Sequence, residues 1–252
     1  QALAINPDYA EAHNNLGNSL NDLGQLDAAV KSFEKALAIK PDFAEAHNNF
    51  GNALNDLGQL DAAVICFKQA LAIKPDYVDA HNNLGNTLND LGQLDAAAKC
   101  FKQALAINPD YAEAHNSFGV TLQELGQLDD AVKSYKQALT IKPDYAEAHN
   151  NLGNTLKDLN QLDDAVKSFE KALAIKPDFA EAHNNFGNAL NDLGQLDAAV
   201  ICFKQALAIK PDYVDAHNNL GNTLNDLGQL DAAAKCFKQA LAIKPDYAEA
   251  HN

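Results

Sequence analysis

Eight histidines recur every 34 residues, at His13, His47, His81, His115, His149, His183, His217 and His251. Imidazole is the side chain best suited to bind a metal or move a proton near neutral pH. The spacing argues against both roles. Zinc holds its ligands at about 2 Å, whereas side chains at one place in stacked units lie about 8–10 Å apart, a helix-packing distance. The rings are therefore expected to pack between helices, and protonating all eight below about pH 6 would loosen the fold. Cys66, Cys100, Cys202 and Cys236 also share one place in four units. A disulfide needs Cα atoms within about 7 Å, so these read as free, small packing residues suited to a reducing cytoplasm. No nucleophile sits in a strained turn and no glycine-rich phosphate loop occurs. No catalytic residue, metal or cofactor is expected.

The other chemistry on offer is that of amides. In the stretch 44–77, Glu45, Asn48, Asn49, Asn52, Asn55 and Asp56 recur at three- and four-residue spacing, which places them on one face of a helix. Each amide carries both a donor and an acceptor, the complement of a peptide backbone. Copied along the chain they form two rows, Asn15, Asn49, Asn83, Asn151, Asn185, Asn219 and Asn18, Asn52, Asn86, Asn154, Asn188, Asn222. Ser117 and Val120 interrupt both. Asparagine is a poor helix former, so its retention points to use, or to simple copying. This face is expected to be free and to hold an extended polypeptide by its main chain. Glu11, Glu45, Asp79, Glu113, Asp56 and their counterparts should make it acidic, favouring a basic or neutral peptide whose binding weakens with salt.

The elements that position these residues follow from the same period. Proline stands at 7, 41, 75, 109, 143, 177, 211 and 245, so the chain is one supersecondary unit copied and stacked. Ala46, Phe50, Ala53, Leu54 and Leu57 form one apolar helical stripe, and Leu60, Ala63, Val64, Phe67, Ala70, Leu71 and Ile73 form a second. Gly58 between them is the residue expected just past a helix C-terminus. Its counterparts are glycine except Asn160, the next residue best able to turn left-handed. Asp42 three residues before Glu45 predicts a capping box at the first helix, and Pro41 ends the helix before it.

His47-x2-Phe50-Gly51-x2-Leu54, Ala63-x3-Phe67 and Pro75 resemble the tetratricopeptide repeat pattern. The resemblance spans the chain as seven full units, 10–43, 44–77, 78–111, 112–145, 146–179, 180–213 and 214–247, with partial units 1–9 and 248–252. It departs from the family in putting histidine for the large aromatic and leucine for tyrosine. It implies an all-α, right-handed superhelical solenoid of antiparallel helix-turn-helix units, one domain over 1–252, whose first helices line a concave groove used for protein binding. The asparagine rows are similar to the ladder in the tetratricopeptide region of O-linked N-acetylglucosamine transferases, which holds extended peptides. The carboxylate-clamp branch of the family does not fit, because its cations are missing and the chain has no arginine.

Composition sets the remaining bounds. The formal net charge of −15 removes the basic footprint expected for nucleic acid or anionic lipid, and no apolar run reaches the roughly 20 residues that span a bilayer. Residues 30–115 and 166–251 differ only at Asn108 and Lys244, so agreement among repeats reflects duplication. With no methionine and a start inside a helical pattern, the sequence reads as a fragment. Two alternatives to a peptide scaffold follow. One is a structural spacer stacking head to tail through Leu3, Ile5, Tyr247 and Ala248; the other is the repeat arm of a larger enzyme such as a glycosyltransferase.

Overall fold

The computed structural model describes residues 9–245, which contain fourteen α-helices and no strand. The chain divides into two compact units, Gln1–Gly126 and Gln127–Asn252. The first holds α1 (Ala10–Asp22), α2 (Leu26–Ile39), α3 (Ala44–Asp56), α4 (Leu60–Ile73), α5 (Val78–Asp90), α6 (Leu94–Ile107) and α7 (Ala112–Glu124). The second holds α8 (Leu128–Ile141), α9 (Ala146–Asp158), α10 (Leu162–Ile175), α11 (Ala180–Asp192), α12 (Leu196–Ile209), α13 (Val214–Asp226) and α14 (Leu230–Ile243). Within each unit every helix packs on the next. First helices of successive repeats also touch, as α1 with α3 and α9 with α11, and no pair of second helices makes a comparable contact. The first-helix face is therefore the tight side of each stack.

The turn inside each hairpin forms as its residues require. Gly58 has φ +73°, and Gln59 N–H donates to Leu54 C=O while Gly58 N–H donates to Asn55 C=O, both at 2.8 Å. These are the two bonds of a Schellman motif, which satisfies carbonyls the helix leaves unpaired. Asn160 adopts φ +58° with the same pair of bonds, from Gln161 to Leu156 and from Asn160 to Lys157.

The expected capping box does not form. The N-cap of α3 is Phe43, with no side-chain cap bond, so Asp42 stands one residue too early to reach the first turn. The loop is held from the other side. His47 donates from Nε2 to Pro41 C=O at 2.9 Å, and His81, His115, His149, His183 and His217 each do the same to the proline six residues before. Lysine caps the turn through its ring contact, Lys40 lying 4.6 Å from the Phe43 centroid and Lys74 4.8 Å from that of Tyr77. The histidines thus fasten the loop between repeats as well as pack.

Each hairpin closes on one contact. Phe33, Phe67, Phe101, Phe169 and Phe203 are fully buried beside alanines such as Ala29, Ala63 and Ala199. Each ring lies against a glycine of the preceding helix: a Cβ added at Gly51 would stand 2.6 Å from Phe67 Cε1, and one at Gly187 2.6 Å from Phe203 Cε1. Because Phe203 is fully buried, it has no room to withdraw. Gly187→Ala should lower unfolding free energy by about 1–3 kcal/mol through overpacking, measured by urea denaturation; an unchanged midpoint would show that the ring yields.

Candidate peptide-binding face

The two asparagine rows have different fates. The residue preceding the first row is buried in every described repeat where it is asparagine and a neighbouring repeat follows within the unit, as at Asn14, Asn48, Asn150 and Asn184. Asn48 therefore does not share the free face that its spacing suggested. Its carbonyl instead accepts from the first row one repeat on. Asn49 Nδ2 donates to Asn14 Oδ1 at 3.1 Å, Asn83 to Asn48 at 3.1 Å, Asn185 to Asn150 at 3.1 Å and Asn219 to Asn184 at 3.0 Å. These first-row amides are half-buried and tie first helix to first helix. The reason is geometric: neighbouring first helices touch, so side chains one residue apart in phase meet across the seam.

The second row behaves as expected of a free face. Asn18, Asn52, Asn86, Asn154 and Asn188 are half-buried, Asn222 is exposed, and their side chains make no hydrogen bond among the described residues. In the second unit, Asn154, Asn185, Asn188 and Asn219 come together with Glu181, Tyr213 and Asp215 around an open cleft of about 420 Å³. In the first unit, Glu45 joins Phe43, Lys74, Tyr77 and Asp79 around another of about 540 Å³. Asp56 lies at the far end of its helix and accepts from Asn21 Nδ2 at 3.1 Å. Beside it Asn55 Oδ1 accepts from Thr87 Oγ1 at 3.0 Å, a second tie across the seam that Asn191 and Thr223 repeat.

Charge on this face is partly cancelled. Lys40 bonds Glu11 at 3.3 Å and Lys176 bonds Glu147 at 3.2 Å, each from the end of a second helix. The Glu11 carboxyl is held below its ordinary value by its own backbone N–H and then by Lys40. Burial pushes Glu147 up, but its own backbone N–H and Lys176 together bring it below its ordinary value. Glu45 has no ion-pair partner. The tyrosines were missed from sequence. Burial first, then Asp79 and Glu45, pushes the Tyr77 phenol up to about 12, and burial with Glu181 and Asp215 does the same for Tyr213. Both remain hydroxyl donors at neutral pH, and the aromatic after each Pro-Asp pair was the available signal.

The remaining sites are quiet. The four cysteines are free, and burial pushes Cys66 and Cys202 up to about 11. Among the described residues no group of three His, Cys, Asp or Glu side chains could hold a metal, and no helix is long and apolar enough to cross a membrane.

An all-α array of hairpins with a polar face along its first helices defines a helical repeat scaffold. The chain belongs to the tetratricopeptide repeat family. Models described as TPR repeat or Tetratricopeptide repeat match residues 1–31, 17–55, 51–90, 85–126, 121–159, 153–190, 187–228 and 214–247. No curated protein matches. Among solved structures, a chain of the APC/C hetero-tetramer Cut9-Hcn1 matches with TM-score 0.80 at 18% identity, over 99% of this chain and 49% of that one. The chain thus spans about half the length of that relative. MamA matches with TM-score 0.59 at 26% identity, over 66% of this chain and 97% of its own. YrrB, described as a TPR protein with an unusual peptide-binding site, matches with TM-score 0.59 at 24% identity, over 74% and 96%.

Two outcomes follow from the amide seam. Asn185→Ala would leave the Asn150 carbonyl, 1% exposed, without its donor, and should cost about 1–3 kcal/mol in urea denaturation. Conversely, Asn82 Oδ1 is buried and unpartnered where Ser117 replaces the donating amide. Ser117→Asn should therefore add about 0.5–1.5 kcal/mol; opposite signs would refute the seam. A third concerns His149, which burial holds below its ordinary value of 6.5. The fold prefers the neutral ring, so its contribution is complete above 6.5 and is lost as pH falls from there through the ring's lower folded value. Its NMR titration midpoint should lie below 6.5, with urea midpoints falling on acidification; a higher midpoint would reverse the sign.

Proposed function

We propose that this chain is a non-catalytic scaffold whose first-helix faces bind an extended, basic or neutral polypeptide through Asn18, Asn52, Asn86, Asn154, Asn188 and Asn222. One observation carries the reading: these amides recur in six of the seven repeats and have no hydrogen-bond partner among the described residues, while Asn49, Asn83, Asn185 and Asn219 of the adjoining row donate across the seam. The family's use in protein interaction and the peptide-binding site named for YrrB support it. A reducing, cytoplasmic setting accords with the four free thiols.

Magnitudes decide what else must contribute. Each unit offers three free amides, and at about 0.5–1.5 kcal/mol apiece these supply about 2–5 kcal/mol. Micromolar affinity needs about 8 kcal/mol. Attraction between a basic peptide and Glu45, Asp79, Glu181 and Asp215 is therefore part of the proposal, and it makes binding sensitive to salt. Val120 and Ser117 remove two amides from the repeat 112–145, so the peptide runs along each unit's own row.

Selection from a random peptide library should recover lysine-containing sequences, with affinity weakening by about tenfold or more in 0.5 M salt. The variant Asn52→Ala, Asn86→Ala, Asn188→Ala, Asn222→Ala should lose them while keeping its unfolding midpoint. Equal retention by parent and variant would remove the groove from the account. Sedimentation of the same samples reads the spacer alternative, whose residues Leu3, Ile5, Tyr247 and Ala248 lie outside the described residues. A glycosyltransferase arm would show as a catalytic domain encoded in the same gene.

A further inference from the structure

The second unit carries another opening, remote from the amide rows. Between α8 and α10, where second helices stand apart, lies a cleft of about 880 Å³ floored by α9, within the range of small-molecule sites. At the place of Leu152, three other repeats have Phe50, Phe118 and Phe186, whose rings lie 6.3, 6.4 and 6.3 Å from Phe33, Phe101 and Phe169 of the preceding second helix, and the rest have Leu16, Leu84 and Leu220. Leu152 is shorter than phenylalanine and lines the cleft with Leu156 and Ile175.

The rim is cationic in a chain of net charge −15. Lys167 is satisfied by Asp164 at 2.8 Å. Among the described residues the ammonium groups of Lys136 and Lys171 have neither a hydrogen bond nor an ion pair, although Lys136 stands near enough to Asp164 to help hold that carboxyl below its ordinary value. No other repeat combines them with a leucine floor: the cleft between α10 and α12 has Glu170, Gln205 and Phe186 at the corresponding places, and that between α12 and α14 has Lys204, Gln239 and Leu220. His149, 7% exposed, lies in the floor and donates from Nε2 to Pro143 C=O at 3.0 Å. Burial favours its neutral form, so the floor does not compete with the rim for charge. Apolar floor, neutral imidazole and two ammoniums outside any ion pair select a ligand with an apolar body and one anionic head.

We propose that this cleft binds a small amphiphilic carboxylate, its chain laid along Leu152, Leu156 and Ile175 and its head between Lys136 and Lys171. This site is separate from the peptide face and stands or falls independently of it.

The test uses sodium decanoate below its micelle-forming concentration, read by chemical-shift changes at the Leu152, Leu156 and Ile175 methyl groups. Binding should saturate, with shifts confined to this cleft. Decan-1-ol should bind about tenfold or more weaker, as should decanoate to the Lys136→Gln, Lys171→Gln variant, since each loses charge-assisted bonds. Leu152→Phe should abolish binding with helicity and unfolding midpoint retained, because sibling repeats already fold with phenylalanine there. Should that variant fail to fold, the lysine variant still decides. Absence of shifts in the cleft, equal binding of alcohol and carboxylate, binding that survives both variants, or occupancy by an acetylated acidic peptide in place of decanoate would overturn the proposal.

Discussion

The stack of first helices depends on one bond, the amide of one first helix donating to the buried amide of the first helix before it. A hairpin alone cannot satisfy that acceptor. Asn150, 1% exposed, would be a buried carbonyl without a donor, at a cost comparable to the whole net value of several surface contacts. Stacking supplies the donor, and the Asn185 to Asn150 bond then fixes where the two helices stand along each other. Once that register is set, the residue three positions further, Asn188, lies on the same face in the next turn, and its amide has nothing left to bond. The proposed recognition chemistry is thus what structural chemistry leaves over: Asn49, Asn83, Asn185 and Asn219 are used up by the stack, and the second-row amides are not.

The hairpins themselves rest on a different contact. A glycine against a buried phenylalanine lets the two helices of a repeat approach closely, and the absent Cβ is what the ring occupies. The first helices have little intrinsic reason to be helical, being rich in asparagine, so tertiary packing rather than propensity holds them. Second helices, built on alanine, leucine and lysine, need less help. They also stand farther from one another, and the cleft between α8 and α10 occurs on that looser side.

Most of the fold was readable from spacing. The two apolar stripes, the proline period and the turn residue at Gly58 or Asn160 define hairpins because each reports a local requirement of the backbone. The capping box failed since a pattern of Asp42 and Glu45 does not say which residue becomes the N-cap; Phe43 does, and His47 secures the loop through a bond six residues back that no capping rule anticipates. The candidate face was readable only as a face. Which asparagines are consumed depends on the phase between neighbouring helices, and a one-residue offset between Asn48 and Asn49 separates a buried acceptor from a half-buried donor. Tyr77 escaped notice for a similar reason, taking its meaning from groups on other helices.

The division of the asparagines into a structural and a recognising row is read most directly in the side-chain amide spectrum of the protein, recorded with and without a bound lysine-containing extended peptide. The account predicts that the amide protons of Asn185 and Asn219 exchange slowly and hold their positions, while those of Asn52, Asn86, Asn188 and Asn222 exchange quickly alone and shift when peptide is added. Movement of the first set with the second unmoved would contradict it.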